Sequence, residues 1–306
     1  MKQMFEQVIV VRSKTYLETL IERFNSKAQA KFYLERSGRE FSNIEREHEI
    51  YHSSLKELKN KLQLAEKYKI IDRAFLPSYI FTKKDLIIGF GQDGLIANIA
   101  KYVNGQPIVG LNPNPEIFDG ILLPFNKINE TGFKRLIDGD FQSRKVVMAK
   151  AAFNDGQELL AFNDFFIGPK SHTSARYKIN FKDKSESQSS SGIIICTGIG
   201  STGWMSSINN MVSGISGNNC ALSAKPEKEK LIFAVREPFN SKTSASNICF
   251  GEITNSSPLR IDSNMVENGV VFSDGIESDF VPFNIGSSVE LSIAKQKANL
   301  VLDTVN

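Results

Sequence analysis

The ten residues from Gly89 to Asn98, GFGQDGLIAN, constrain the fold of this chain more than any other stretch. The run Asp85 to Ile88 reads as a buried strand and Ile96 to Val103 as a helix, so the chain must turn between them through three glycines in six residues. Glycines let a backbone turn sharply and bring bare N–H groups against a ligand, a common way of holding phosphates. A carboxylate in such a loop, Asp93, repels an anion unless it binds a metal or takes a proton. Asp93 therefore points to chemistry on a phosphorylated ligand rather than to passive binding of one.

The same alternation of strand and helix extends around this loop. Val8 to Val11 reads as a short buried strand and Thr15 to Phe24 as a helix. From Phe41 the positions Ile44, His48, Tyr51, Leu55, Leu58 and Leu62 recur at spacings of three and four, which predicts a long amphipathic helix with His48 packed on its buried stripe. Pro107 to Gly110 reads as a further strand, and the pattern as a whole predicts a parallel sheet with crossover helices.

Beyond about Phe125 the helical period fades. Val146 to Ala149, Glu158 to Ile167, Ala175 to Phe181, Ile193 to Cys196, Leu231 to Val235, Leu259 to Ile261, Val270 to Phe272 and Val289 to Ile293 read as short strands. The expected organisation is an α/β N-terminal domain over 1–125 and a β-rich C-terminal domain over 126–294. The tail 295–306, with its apolar stretch Asn299 to Leu302, is expected to complete the first domain's sheet. Lys182 to Ser191, KDKSESQSSS, reads as a mobile hairpin tip.

Charge and cysteines narrow the function classes. A net charge of +3 with no basic cluster disfavours nucleic acid or an anionic membrane as partner and suits anionic small molecules. Cys196, Cys220 and Cys249 form an odd set without CxxC spacing, which speaks against a disulfide framework or a zinc site and for a reducing cytoplasm. The first apolar run is too short for a signal sequence and no segment approaches a membrane span.

Gly89, Gly91 and Gly94 also fit the GxGxxG dinucleotide fingerprint, and a ligand-free strand-to-helix turn is the third reading of the loop. The fingerprint would set Asp93 against a pyrophosphate, and Glu116, near the spacing of a ribose-binding acid, falls in a proline-rich turn. A second segment, SGIIICTGIGSTGWMSS from Ser191 to Ser207, runs an apolar strand into Thr197, Gly198, Gly200, Ser201, Thr202 and Gly203. Small hydroxyls and glycines in such a cluster can line a polar ligand, and a helix from Met205 would aim its N-terminal dipole at an anion. Trp204 suits either core packing or a pocket wall.

GFGQDG, GQPIVGLNPNPEIFDGILLPF, AFNDFFIG with CTGIGSTGW, and VFSDGIESDF occur in the order seen in the NAD kinase family, whose signatures are GGDGT and a TPTGSTAY-like run. The chain resembles that family over roughly residues 40 to 285, most closely its mitochondrial-type branch, in the CTGTGS-type loop ending in Trp and the long early helix. The resemblance implies an NAD kinase or diacylglycerol kinase-like fold and transfer of the terminal phosphoryl group of ATP, or of polyphosphate, to the adenosine ribose 2′-hydroxyl of NAD(H). It implies Mg2+ as cofactor, nucleotides as the small-molecule partners, and assembly as a homodimer or homotetramer.

By position, Asp93 matches the family's general base, and Asn163 and Asp164 its Asn-Glu pair on the dinucleotide. Thr202, Gly203, Trp204 and Ser207 match the hydroxyl loop that lines the dinucleotide. Gly91, Gln92, Gly94, Asn112 and Thr197 match positions near the donor phosphates. The chain departs from the pattern at Gln92 (Gly), Leu95 (Thr) and Asp164 (Glu), and the hydroxyl loop differs at Ser191, Ile199 and Trp204. Gln92 and Leu95 are expected to cost the loop backbone freedom and a hydroxyl. Lipid kinases of the diacylglycerol and sphingosine type share the glycine loop and stay open as an alternative, as does a nucleotide-binding regulator that has lost catalysis, with Gln92 as the lesion.

Overall fold

The computed structural model describes residues 4–219 and 221–304, so Cys220 lies outside the described residues. It divides into two compact units, one running to Arg144 and resuming at Asn299, the other Lys145–Ala298.

The first unit contains β1 (Gln7–Arg12), α1 (Tyr16–Phe24), α2 (Lys27–Arg36), α3 (Phe41–Leu62), β2 (Tyr68–Asp72), β3 (Asp85–Phe90), α4 (Asp93–Tyr102), β4 (Pro107–Leu111) and α5 (Glu130–Asp138). Its strands lie in the order β2-β1-β3-β4, every pairing parallel. Parallel strands covered on both faces are apolar throughout, and all residues of β3 and β4 are buried. Tyr51, Leu55, Leu58 and Leu62 of α3 share one core cluster with Val8, Val10, Leu86 and Ile88. Phe133, Leu136 and Ile137 of α5 join the same cluster, so the unit runs on past residue 125. At the sheet's edge Asn299 and Leu300 pair in parallel with Pro107 and Ile108.

Local chemistry fixes the helix ends. Thr15 and Glu18 form a capping box at the start of α1, the Thr15 side chain accepting from Glu18 N at 3.2 Å and the Thr15 amide donating to Glu18 Oε2 at 2.8 Å. Asn129 caps α5, and Gly139 closes it in the left-handed conformation at φ +79°.

The second unit contains most of β5 (Ser143–Phe153), then β6 (Glu158–Ala161), β7 (Asp164–Pro169), β8 (Ala175–Phe181), β9 (Lys184–Ser190), β10 (Ile193–Cys196), α6 (Trp204–Ser216), β11 (Leu231–Val235), β12 (Phe250–Ile253), β13 (Leu259–Ser263), β14 (Gly269–Ser273), β15 (Val281–Pro282) and most of β16 (Ser288–Val301), whose residues from Asn299 belong to the first. Strands in the order β12-β11-β10-β7-β14-β15 form one antiparallel sheet. β16-β13-β8-β9 form a second antiparallel run, with β5 on β16 and β6 on β5. The two sheets share a core built from Phe165, Ile167, Ile193, Ile195 and Phe233 on one side and Tyr177, Ile179, Ile261 and Leu291 on the other.

Three details differ from the sequence reading. The segment expected as a mobile tip is β9, paired with β8 along its whole length from Ala175↔Ser190 to Phe181↔Lys184. Its inward residues are polar but satisfied, for the buried Tyr177 hydroxyl lies 2.9 Å from Gln188 Oε1 and 2.8 Å from Ser190 Oγ. The run from Glu158 to Ile167 is two strands, broken at Phe162 and Asn163. Helix α4 begins at Asp93, three residues before the apolar period shows it. Among the described residues no helix is long and apolar enough to cross a membrane.

Candidate active site

In the first unit the chain leaves β1 toward β2 on one side and later adds β3 on the other, so the order reverses between β1 and β3. Ligands of open α/β sheets bind beyond the carboxyl ends of the strands at such a point. A cavity of about 310 Å3 lies there. Ser13 and Thr15 after β1, Gly91, Gln92 and Gly94 after β3, His48 and Tyr51 of α3, and Arg73 line it.

Gly89 and Gly94 of the loop have different tasks. A Cβ on Gly89 would stand 2.3 Å from Ile96 Cδ1, so this glycine lets α4 pack onto β3. One on Gly94 would meet nothing within 4 Å, which leaves that stretch of backbone open to a ligand. Gln92 sits at φ −99° and ψ 167°, an extended conformation that needs no glycine.

Asp93, half-buried, is the first residue of α4 and its carboxylate is held by a second loop. Oδ2 accepts from Ile121 N at 3.1 Å and Oδ1 from Leu122 N at 3.0 Å. The loop reaches Asp93 because Gly110 has no side chain, a Cβ there falling 2.0 Å from the Leu122 carbonyl oxygen. Gly120 turns it at φ +66°. Buried Asn112 braces the turn, donating from Nδ2 to Phe118 O at 3.0 Å and accepting from Asn114 N at 3.0 Å. Its side chain thus shapes the loop that orients Asp93. Glu116 is exposed and lies 3.7 Å from Arg46. His48, expected as a packed side chain, is half-buried on the cavity wall with Nδ1 2.8 Å from Thr15 Oγ1, and burial, then His52, holds its pKa below the ordinary histidine value.

In the second unit the hydroxyl loop after β10 is folded onto Asn163. Thr197 is fully buried, its hydroxyl donating to Phe162 O at 2.6 Å and its amide to Asn163 O at 2.8 Å. A Cβ on Gly200 would come within 2.0 Å of Asn163 O, and one on Gly198 within 2.5 Å of the Lys225 backbone. Asp274, at φ +55°, ties the other side, accepting from Phe162 N at 3.1 Å, Asn163 N at 2.6 Å and Asp164 N at 3.2 Å. Asn163, Asp164 and Thr197 are therefore one cluster organised by Asp274. Asp164 is 8% exposed, and burial, with the neighbouring Asp274 charge second, pushes its carboxyl up to about 7.

Thr202, Gly203 and Ser207 are exposed around the start of α6. Trp204 opens the helix, half-buried and stacked on Phe166 at 5.6 Å and 9°, with the Arg236 guanidinium 5.4 Å from its ring. The sequence reading missed Asp274 as the organiser, although the late DG segment holds it, and missed Arg73, which nothing in its local sequence marks.

No family model matches the chain. It is 24% identical over 371 residues to NAD kinase 2, mitochondrial, of Rattus norvegicus, covering 95% of this chain and 85% of the relative. The human protein of that name is 23% identical, covering 95% and 82%. The NAD kinase of Saccharolobus solfataricus is 27% identical over 161 residues, 52% of this chain and 57% of the relative. The fold is similar to that of yeast NADH kinase complexed with NADH, with a TM-score of 0.59, 14% identity and coverage of 98% and 84%. It is also similar to an Archaeoglobus fulgidus NAD kinase in complex with ATP, with a TM-score of 0.54, 14% identity and coverage of 97% and 94%. The α/β plus β-rich fold and the likeness to NAD kinases read from the sequence are both borne out.

Proposed function

We propose that this chain, which has the NAD kinase fold and NAD kinase relatives along nearly its whole length, transfers the terminal phosphoryl group of ATP to the adenosine ribose 2′-hydroxyl of NAD(H). The observation that carries the reading is the placement of Asp93, a carboxylate fixed by two backbone amides at the first turn of α4 beside an open glycine. Each of its oxygens keeps a lone pair for a substrate hydroxyl. Asp93 orients that hydroxyl and takes its proton as the oxygen attacks phosphorus, while the leaving nucleotide retains the electrons of the broken P–O bond.

The loose transition state of phosphoryl transfer asks the protein mainly to align acceptor and donor and to neutralise charge. Among the described residues no group of three or more His, Cys, Asp or Glu could cage a metal ion. A magnesium ion here would be carried mainly on the donor's phosphates and water, with Asp93 at the loop and the exposed Glu47 on the cavity wall as the carboxylates on offer. Bound there, Mg2+ would neutralise charge on the bridging oxygens. Asn163 and the buried Asp164 are the dinucleotide-binding pair in this reading, with Thr202, Gly203, Trp204 and Ser207 completing that wall. Gly91, Gln92 and Gly94 present backbone to the donor. Thr197 and Asn112 serve by holding the two loops in shape.

Purified protein incubated with Mg2+, with ATP or inorganic polyphosphate, and with NAD or NADH tests the assignment through NADP(H) formation. Phosphorylation of a diacylglycerol or sphingosine substrate instead would establish the lipid kinase, and tight NAD binding without product the regulator. We take the active form to be a homodimer or homotetramer in a reducing cytoplasm. Light scattering of the purified chain and fractionation of cells test those two points.

A further inference from the structure

A triphosphate at the glycine loop brings several negative charges beside Asp93, and GFGQDG itself offers no cation. The cavity wall supplies Lys14, His48 and Arg73, with Glu47 as an exposed acid among them. Lys14 is engaged with Glu22 at 2.6 Å. His48 is tied to Thr15 and disfavoured as a cation by burial. Arg73 differs from both. Among the described residues it forms no ion pair, and the carboxylate next to it in sequence, Asp72, lies 3.0 Å from Arg12.

What Arg73 does have is an anchor. Its Nε donates to Oδ1 of Asn98 at 3.0 Å. Asn98 is 5% exposed, on α4, and is the last residue of the GFGQDGLIAN stretch. A buried neutral amide that accepts from Nε fixes the guanidinium plane without cancelling its charge, and it leaves the terminal nitrogens for a bidentate contact. Holding a long side chain this way also removes rotamer entropy that a phosphate contact would otherwise cost.

We infer that Arg73, oriented by Asn98, is a phosphate-binding residue of the glycine-loop cavity and contacts the donor's polyphosphate. The identity of the donor as a nucleoside triphosphate rests on the kinase reading above; the anion site does not.

Two measurements on the full chain separate the two claims. The first is the KM for ATP and for NAD of wild type, Arg73→Ala, Arg73→Lys and Asn98→Ala. A charge-assisted bidentate contact predicts that Arg73→Ala raises the KM for ATP about 10- to 100-fold with the KM for NAD within about threefold. Arg73→Lys recovers part of the loss, and Asn98→Ala, with the arginine present but unanchored, falls between. A KM for ATP unmoved in Arg73→Ala, or a rise confined to NAD, overturns the inference. The second is calorimetric titration with inorganic tripolyphosphate, which needs no turnover. Wild type binds, and Arg73→Ala binds at least about tenfold more weakly; equal binding, or none by wild type, overturns the site even if NADP is made. Should wild type bind tripolyphosphate but make no NADP, the kinase reading fails and the anion site stands. If Arg73→Ala does not fold, Arg73→Gln, neutral and of similar bulk, gives the same comparison.

Discussion

Replacing Asp93 by Asn separates its anchoring by two amides from its proposed role as base. The carboxylate offers an acceptor to each of two amides, Ile121 N and Leu122 N, whereas a carboxamide offers one oxygen and must set its NH2 against the other amide. Losing one hydrogen bond and opposing two donors costs about 1–3 kcal/mol. At roughly 2–4 °C per kcal/mol for a unit of this size, the melting temperature should fall by about 2–12 °C. A domain stable by about 5–15 kcal/mol stays almost wholly folded at 25 °C after that loss. Destabilisation therefore accounts for little of any loss of turnover measured there. The chemistry is a separate and larger effect, because a neutral amide takes no proton from the ribose hydroxyl, and turnover should drop about 10²- to 10⁴-fold while dinucleotide still binds. Thermal melts beside coupled NADP formation at 25 °C give both numbers. An Asp93→Asn enzyme within tenfold of wild-type turnover refutes the base, and an unchanged melting temperature refutes the two-amide anchor.

Gly110→Ala places a methyl 2.0 Å from the Leu122 carbonyl, a backbone atom that cannot swing aside, and should cost about 3 kcal/mol and at least tenfold in turnover by moving the loop off Asp93; normal kinetics would show that the loop does not orient the carboxylate. Asp164 has a folded pKa of about 7, above its unfolded value near 4, so the folded chain binds the extra proton and stability falls as pH rises from about 4 to 7. Asp164→Asn should accordingly raise the melting temperature at pH 8 and lose that gain below pH 4, whereas a gain independent of pH would show that ionisation is not the cause. Trp204, the sole tryptophan, reports on its own wall of the second unit, and NAD should change its emission while ATP alone leaves it near baseline; no response to NAD would argue for a purely structural stack.

What could be read from the sequence follows from where the side chains point. The apolar run of β3 after Asp85, the apolar β4 and the three-and-four spacing of α3 write their burial directly into the residue types. Helix α2 buries only Ala30 and Leu34 among ten residues, too few to mark a face, and α5 is nine residues whose Phe133, Leu136 and Ile137 are a short signal. Strand β9 was hidden because its inward positions are Gln188 and Ser190, satisfied by a tyrosine on the neighbouring strand. In the candidate site, the glycine loops were legible because close backbone approach demands that residue type, and Asp93 stood out as a carboxylate set among glycines. The Arg73–Asn98 and Asp274 contacts were not, since they join residues 25 and more than 100 positions apart.

The departures from the kinase pattern also change meaning once the backbone is known. A second glycine in the loop would matter if position 92 had positive φ, but Gln92 is extended and exposed, so its side chain costs the turn nothing. Leu95 is 2% exposed and packs against Gly91, whose added Cβ would stand 3.0 Å from Leu95 Cδ2. It fills the floor beneath the loop, a place where a hydroxyl would need a partner. Neither substitution touches the Asp93 anchor, which depends on Gly110, Gly120 and Asn112, all present. The reading of this chain as a kinase that has lost catalysis takes Gln92 as its lesion, and that residue disturbs neither the turn nor the carboxylate.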